Sequence, residues 1–440
     1  MNANRASFGM RLYRAFFRVF FSLFGRWLVG AERWKETEKI AGHFERMPEK
    51  RDSEKRIWFH AASVGELESL WPLVERAARD PANRLALTVF SSSAWSHLHK
   101  MSRKLEGAPP LYIGYSPVEG GWKPALAAAS PDLFVTAKYE AWPEIWDSLA
   151  GLGVPLAIIG AKPRSSILWA KRILRFLRGS IPKIVFFSFD PENEPGLASR
   201  FPAAKLYHGS DPRWDRVFQR SVRAHPRVDE LAREFGDLPR PWGAIGSAWA
   251  PDLAGLPSDA AESIPGTLWV VPHKTDPRSV SEVEILLRDR GFTPIRTSTT
   301  EKIRPAGKLA VLVDEMGFLA ELYSRMDWAF IGGGFGSSIH STIEPAIYGL
   351  PIYGGPKGQQ KFDEIRLLKK QSQLRLFGDV ADFSAKSAED FADWFRSEFS
   401  ATEETRRDRR QEWLNANLRH RGASERIWER LAAALRDGFA

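Results

Sequence analysis

Phe330-Ile331-Gly332-Gly333-Gly334-Phe335-Gly336-Ser337-Ser338-Ile339-His340-Ser341-Thr342-Ile343-Glu344-Pro345 is the stretch on which the fold turns. The apolar run that enters it, residues 328–331, predicts a buried strand. A glycine cluster follows. Then comes Ser341 or Thr342, either one a helix cap, with Glu344 inside the first helical turn. Strand, glycine-rich turn and helix N-terminus make an anion site when free N–H groups and the positive end of the helix dipole face outward. The same pattern also serves as a tight connection with no ligand, so the neighbouring stretches must decide.

They repeat the alternation. Residues 267–271 predict a strand ending in Pro272-His273-Lys274-Thr275-Asp276, and 280–290 a helix. Residues 309–313 predict a strand ending in Asp314-Glu315-Met316-Gly317, and 318–325 a helix. Repeated β-α alternation means a parallel sheet covered on both faces, with ligands at the carboxyl ends of the strands. His273, Lys274, Met316, Gly317 and the 332–338 loop, Gly333 and Gly334 included, are thus candidates to converge on one ligand in a nucleotide-type cleft. Two better-known phosphate fingerprints are missing: G-x-G-x-x-G followed by an acid on the next strand, and G-x-x-x-x-G-K-[ST]. Dinucleotide oxidoreductases and P-loop NTPases are thereby excluded. Upstream, Gly236-Asp237-Leu238-Pro239-Arg240-Pro241 reads as a linker.

The first half has the same period. Residues 56–62, 85–90, 110–115, 132–137, 155–160 and 184–189 predict strands, with helices over 64–79 and 142–152. Three strand ends carry chemistry. In His60-Ala61-Ala62-Ser63-Val64-Gly65-Glu66, small residues allow close approach at Ser63 and Gly65. Glu66 there is either a first-turn acid stabilising its helix or a general base for an acceptor hydroxyl. Lys138-Tyr139-Glu140 reads as a binding loop or as a surface ion pair worth little. Ala161-Lys162-Pro163-Arg164 is basic, and the charged helix behind it is either a solvated face or a face for anionic lipid.

With 440 residues, two domains plus extras are expected. The absence of cysteine excludes disulfides, thiolate metal sites and cysteine nucleophiles. The nine histidines are scattered, so no metal site and no cofactor is predicted. A net charge of +9 favours acidic partners: nucleic acid, anionic lipid or a phosphorylated substrate. Seventeen tryptophans suit a membrane interface or carbohydrate. Residues 6–30 show no secretory cleavage site. At about 100° per residue, Arg11, Arg14, Arg18 and Arg26 fall within about a third of the circumference. Phe16, Phe17, Val19, Phe20, Leu23 and Leu28 lie mostly elsewhere. This is a basic amphipathic helix suited to lying in an anionic leaflet. Packing on the protein's own core is the alternative, and the arginines make a spanning helix expensive. Near the C-terminus, Ile427, Leu431 and Leu435 form a stripe expected to pack in the core.

Four signatures together resemble the Kdo (3-deoxy-D-manno-oct-2-ulosonic acid) transferases of lipopolysaccharide synthesis. They are HAASVGE at 60–66, KYEAWPEIW at 138–146, DEMGFLAELY at 314–323, and FIGGGFGSSIHSTIEPAIYGLPIYGGP at 330–356 with Lys361-Phe362 behind it. The resemblance implies an α/β chain of GT-B type, two Rossmann-like domains facing a cleft, with an N-terminal amphipathic membrane helix. It divides the chain into 1–35 (membrane helix), 36–205 (acceptor domain), 206–415 (nucleotide-sugar domain) and 416–440 (C-terminal helix). The implied reaction is an inverting, metal-free transfer of Kdo from CMP-Kdo to a lipid A precursor, lipid IVA, at the cytoplasmic face of the inner membrane. The implied partners are CMP-Kdo, the lipid acceptor and an anionic membrane surface, with no nucleic acid. Glu66 looks like the general base and Glu140 like an acidic position of the cleft. Arg213 sits where the family places a cation near the donor. Gly317, Gly334, Ser341 and Glu344 resemble the CMP site, beside Gly333, His273, Lys274 and Met316. Ser63, Gly65, Lys138 and Arg164 fall on the acceptor side. The chain departs from the family at three places. His340-Ser341-Thr342-Ile343-Glu344 stands for His-Asn-Pro-Leu-Glu, and Pro272-His273-Lys274 stands for Pro-Arg-His. Gly246-Ser247-Ala248-Trp249-Ala250-Pro251-Asp252 stands for a Thr-His-x-Gly-Glu-Glu stretch. Two alternatives are another GT-B transferase acting on a lipid-linked acceptor, and an inactive membrane-bound nucleotide-sugar binder.

Overall fold

A computed structural model describes residues 7–437 other than 47–48, 108, 139, 223, 257, 300–305 and 378–400. Tyr139 of the predicted binding loop therefore lies outside the described residues. The chain divides into two compact units, Met1–Asp215 with Gly422–Ala440, and Arg216–Arg421.

The first unit is built on seven parallel strands: β1 (Lys55–Ala61), β2 (Asn83–Val89), β3 (Tyr112–Tyr115), β4 (Leu133–Ala137), β5 (Leu156–Ile159), β6 (Ile184–Ser188) and β7 (Lys205–His208). Their spatial order is β3-β2-β1-β4-β5-β6-β7. The order reverses between β1 and β4, which makes that crevice the topological switch point. Side chains alternate across the sheet. Trp58 and Phe134 go to one face with Phe44, Trp122 and Trp146. Ile57 and Phe59 go to the other with Leu70, Leu73 and the C-terminal helix's Ile427 and Leu431. The C-terminal stripe is thus core, with Leu435 packed at its margin. Asp215 ties that helix back, accepting from the Gly422 N–H at 2.5 Å and the Ser424 N–H at 2.7 Å.

The second unit repeats the plan with β8 (Trp242–Ala248), β9 (Thr267–Pro272), β10 (Phe292–Arg296), β11 (Lys308–Leu312), β12 (Trp328–Ile331), β13 (Ile352–Gly354) and β14 (Leu374–Leu376). The order is β10-β11-β9-β8-β12-β13-β14, all parallel, with its switch point between β8 and β12. Gly243 admits the Trp328 indole between these strands; a Cβ there would lie 1.7 Å from the ring. Two elements are shorter than their patterns predict. Residues 318–325 form one helical turn, Leu319–Leu322, continued by a 3-10 turn, Tyr323–Arg325. The helix after the glycine loop is also a single turn, Ile343–Ala346, and Thr342, its N-cap, makes no side-chain cap bond.

Helix α1 (Phe8–Val29) docks on the first unit with the opposite side from the one its arginines suggest. Arg14 is buried and paired to Asp147 and Glu144. Arg18 reaches the Gly120 carbonyl at 3.4 Å. Tyr13 donates to Glu119 at 3.0 Å. Gly25 lies against Trp34 of helix α2 (Ala31–Glu45). The exposed side is apolar: Phe8, Leu12, Phe16, Val19, Leu23 and Trp27, the last two 71% and 84% exposed. Close by, the Ser7 hydroxyl donates to the Leu177 carbonyl, next to Phe176, which is 85% exposed. One arginine of the predicted basic face, Arg14, is therefore spent inside the protein, because buried carboxylates there demand a cation, while Arg11, Arg18 and Arg26 stay exposed. No described helix is long and apolar enough to cross a membrane.

Candidate functional site

At the first switch point, β1 runs into helix α3 (Val64–Ala78) and β4 runs into the loop that carries Lys138 and Glu140. Glu66 is third in its helix and 3% exposed. Its Oε2 accepts the Ala62 N–H at 2.7 Å and the Ser63 N–H at 3.2 Å. Burial, with Glu140 adding, pushes its carboxyl up to about 7, while the two N–H groups and Lys138 pull the other way. Glu140 is itself raised by burial, although the Trp142 indole N–H donates to it at 2.8 Å. Glu66 is thus both a first-turn helix acid and a carboxyl poised between protonation states at neutral pH, which suits proton transfer. Ser63 and Gly65 are exposed at its rim, and a Cβ on Gly65 would meet no protein atom within 4 Å. Lys138 holds a left-handed backbone, φ 61°, that non-glycine residues rarely adopt.

The same network takes in the loop after β7. Asp211 accepts from the Ser69 hydroxyl at 3.1 Å and from Arg213 Nε and Nη2 at 2.9 and 2.7 Å. Burial alone would raise Asp211, but Arg213, and then Lys138, outweigh it and hold the carboxyl below its usual range. Arg213 thus belongs to the first unit, in the group with Glu66, Glu140 and Lys138. Arg164 stands one strand over, at the N-cap of the helix Ser165–Phe176 behind β5.

At the second switch point the glycine stretch is not the open anion site its pattern suggests. Asp252, behind β8, takes the Gly333 N–H at 2.7 Å and the Trp249 N–H at 2.9 Å, and the Phe335 amide also bonds to it. With only one helical turn following, the macrodipole is small as well. The glycines serve close packing: Gly333 has φ +87°, and a Cβ on Gly334 would lie 2.4 Å from the Gly355 backbone. What the switch point does gather is a column of rings. Trp249 stacks on His273 with centroids 4.4 Å apart, and His273 on His340 at 4.6 Å. The Trp249 indole N–H donates to His340 Nε2 at 3.1 Å. The Lys274 ammonium sits 5.9 Å from the Trp249 ring centre. Burial, then His273, holds His340 down to about 4. Burial and Lys274 lower His273.

The remaining predicted donor residues share this edge of the sheet without joining the column. Met316, 71% exposed, and Gly317, φ +110°, follow β11, the neighbour of β9. Ser341 is half-buried just beyond His340. Arg220 is raised chiefly by its hydrogen bond to Glu321, and Tyr323 chiefly by burial, with Glu344 adding to both. Sequence reasoning missed Trp249, Asp252 and His340 as site residues. The departures from the family pattern were the signal available, since two of the three meet in this column.

Two Rossmann-like domains of parallel strands give the chain a GT-B-type fold. A UDP-glucosyltransferase from Polygonum tinctorium shares that fold over 87% of this chain and 99% of its own, with a TM-score of 0.57 at 13% identity. The chain carries the domain of the 3-deoxy-D-manno-octulosonic-acid (Kdo) transferase family across residues 33–194 and is a homologue of curated members of that family. It is 26% identical to the Kdo transferase of Chlamydophila psittaci over 70% of each chain. It is 22% identical to that of Aquifex aeolicus over 72% of this chain and 80% of the other.

Proposed function

We propose that this protein transfers Kdo from CMP-Kdo to a lipid A precursor, lipid IVA, with inversion at the anomeric carbon, on the cytoplasmic face of the inner membrane. The carrying observation is Glu66, a buried carboxyl at a switch point with its pKa pushed up to about 7. In this reading Glu66 takes the proton of a primary hydroxyl on the acceptor glucosamine disaccharide. The oxygen attacks the anomeric carbon from the side opposite CMP. The new C–O bond forms as the bond to the phosphate oxygen breaks, and CMP leaves with the electron pair.

The donor is assigned to the second unit, where Lys274 offers a cation at the switch point. The Gly333 and Phe335 amides are committed to Asp252, so the departing phosphate is stabilised chiefly by side chains. Lys138, Arg164 and the rim at Ser63 and Gly65 are assigned to the phosphorylated acceptor. The lipid-borne acceptor also suits the apolar outer side of α1, which is placed in the leaflet interface.

The deciding experiment incubates the full-length protein with lipid IVA and CMP-Kdo and weighs the product by mass spectrometry. Addition of one or more Kdo masses supports the reading. No product, together with thermal stabilisation by UDP or GDP rather than CMP, replaces it with another nucleotide-sugar transferase.

A further inference from the structure

The ring column at the second switch point contains a chemical constraint. An indole N–H can only donate. It faces His340 Nε2 at 3.1 Å, so that nitrogen must accept and cannot hold the ring's single proton when the imidazole is neutral. Turning the ring over would present a carbon to the indole and forfeit the bond. The ring is also pinned from other sides. His273 stacks on it at 4.6 Å with planes 18° apart. The His340 backbone N–H bonds to the Gly332 carbonyl at 3.2 Å. Gly333 leaves the ring its room, since a Cβ there would lie 3.1 Å from Nε2. Position and tautomer of the imidazole are therefore both set by the protein.

We propose that Trp249 is a positioning residue that locks His340 as its Nδ1–H tautomer, so that His340 presents one fixed, uncharged N–H donor to a phosphate oxygen of the nucleotide sugar. The assignment to a phosphate rests on the nucleotide-sugar reading of this unit. It supplies what the glycine loop does not, because the loop amides at 333 and 335 already serve Asp252. A neutral donor in a stacked column also differs from Lys274 in kind: the ammonium attracts any anion nearby, whereas the imidazole N–H selects one direction. Free histidine favours the other tautomer, so the lock is a property the protein must impose.

The test uses the full-length protein in detergent, labelled with 15N-histidine, and long-range 1H–15N correlation spectra assigned with His340→Asn. His340 is expected as the Nδ1–H form. In Trp249→Phe, which keeps a stacking ring and removes the donor, it is expected to shift largely to Nε2–H. CMP affinity in Trp249→Phe should fall about 10-fold, the scale of one charge-assisted hydrogen bond. Asn places an amide N–H near the Nδ1 position without needing a tautomer. In a His340→Asn background, Trp249→Phe should therefore change CMP affinity by less than about 2-fold. An Nε2–H form in the unsubstituted protein, or a tautomer unmoved by Trp249→Phe, overturns the lock. An equal loss of affinity in both backgrounds reduces Trp249 to packing. A lock that is present while CMP neither binds nor perturbs the His340 signals removes the nucleotide-sugar reading instead, and the two failures are distinguishable because the tautomer is read without ligand.

Discussion

A carboxyl that titrates near neutrality is useful only if the oxygen it must deprotonate reaches it. Glu66 meets the first condition through burial and through Glu140, against the pull of two backbone N–H groups. Glu66→Gln keeps the size and removes the base, and turnover is expected to fall at least about 10²-fold, with CMP affinity unchanged by calorimetry. Glu140→Gln tests the electrostatics. The negative charge of Glu140 raises the Glu66 pKa, so its removal lets Glu66 ionise at lower pH. The acid limb of kcat/KM, expected near pH 7 in the unsubstituted enzyme, should move downward. A limb that stays in place means that Glu140 does not act through Glu66.

At the scale of the element, α1 is held by ionic contacts as well as by apolar packing at Met10 and Gly25. Arg14 neutralises Asp147 and Glu144 in a buried setting. Nearby, burial and Glu144 raise Glu119 well above the ordinary carboxylate range, and Tyr13 donates to it. Arg14→Ala strands these carboxylates without their cation, an expected cost of about 3–5 kcal/mol. Chemical denaturation should read that loss, and limited proteolysis should cut near residue 30 in the variant first. The strands β1 and β4 show a second elemental device. Because they are neighbours that are far apart in sequence, the loops behind them bring Glu66, Lys138 and Glu140 to one crevice.

At the scale of the molecule, each unit gathers polar side chains at its own switch point, a buried carboxyl in the first and an aromatic and cationic group in the second. The first unit also presents an apolar stripe along α1. Each large side chain there returns about 1.5–3 kcal/mol when taken out of water. Replacing Phe16, Leu23 and Trp27 together by serine should therefore release the protein from anionic liposomes in a flotation assay. Binding that persists in that triple variant assigns membrane contact to the basic residues instead.

The sequence alone determined the β/α alternation and the strands β1–β6, β9, β11 and β12, since parallel strands buried on both faces must be short apolar runs and their crossovers helix-periodic; β7, β8, β10, β13 and β14 emerged only in the structure. The sequence also placed Glu66, Lys138, Glu140, His273 and Lys274 at strand ends, where side chains are available for ligands. It placed the C-terminal stripe in a core. The remaining features depended on which strands became neighbours. Asp252 and Gly333 are 81 positions apart, and only the pairing of β8 with β12 shows that the carboxylate occupies the glycine-loop amides. The Trp249-His273-His340 column spans three strand ends, and no local period records it. The arginines of α1 have the same helical spacing whether they face lipid or protein. Buried acids on another part of the chain decided it for Arg14, because a carboxylate taken out of water requires a cation beside it.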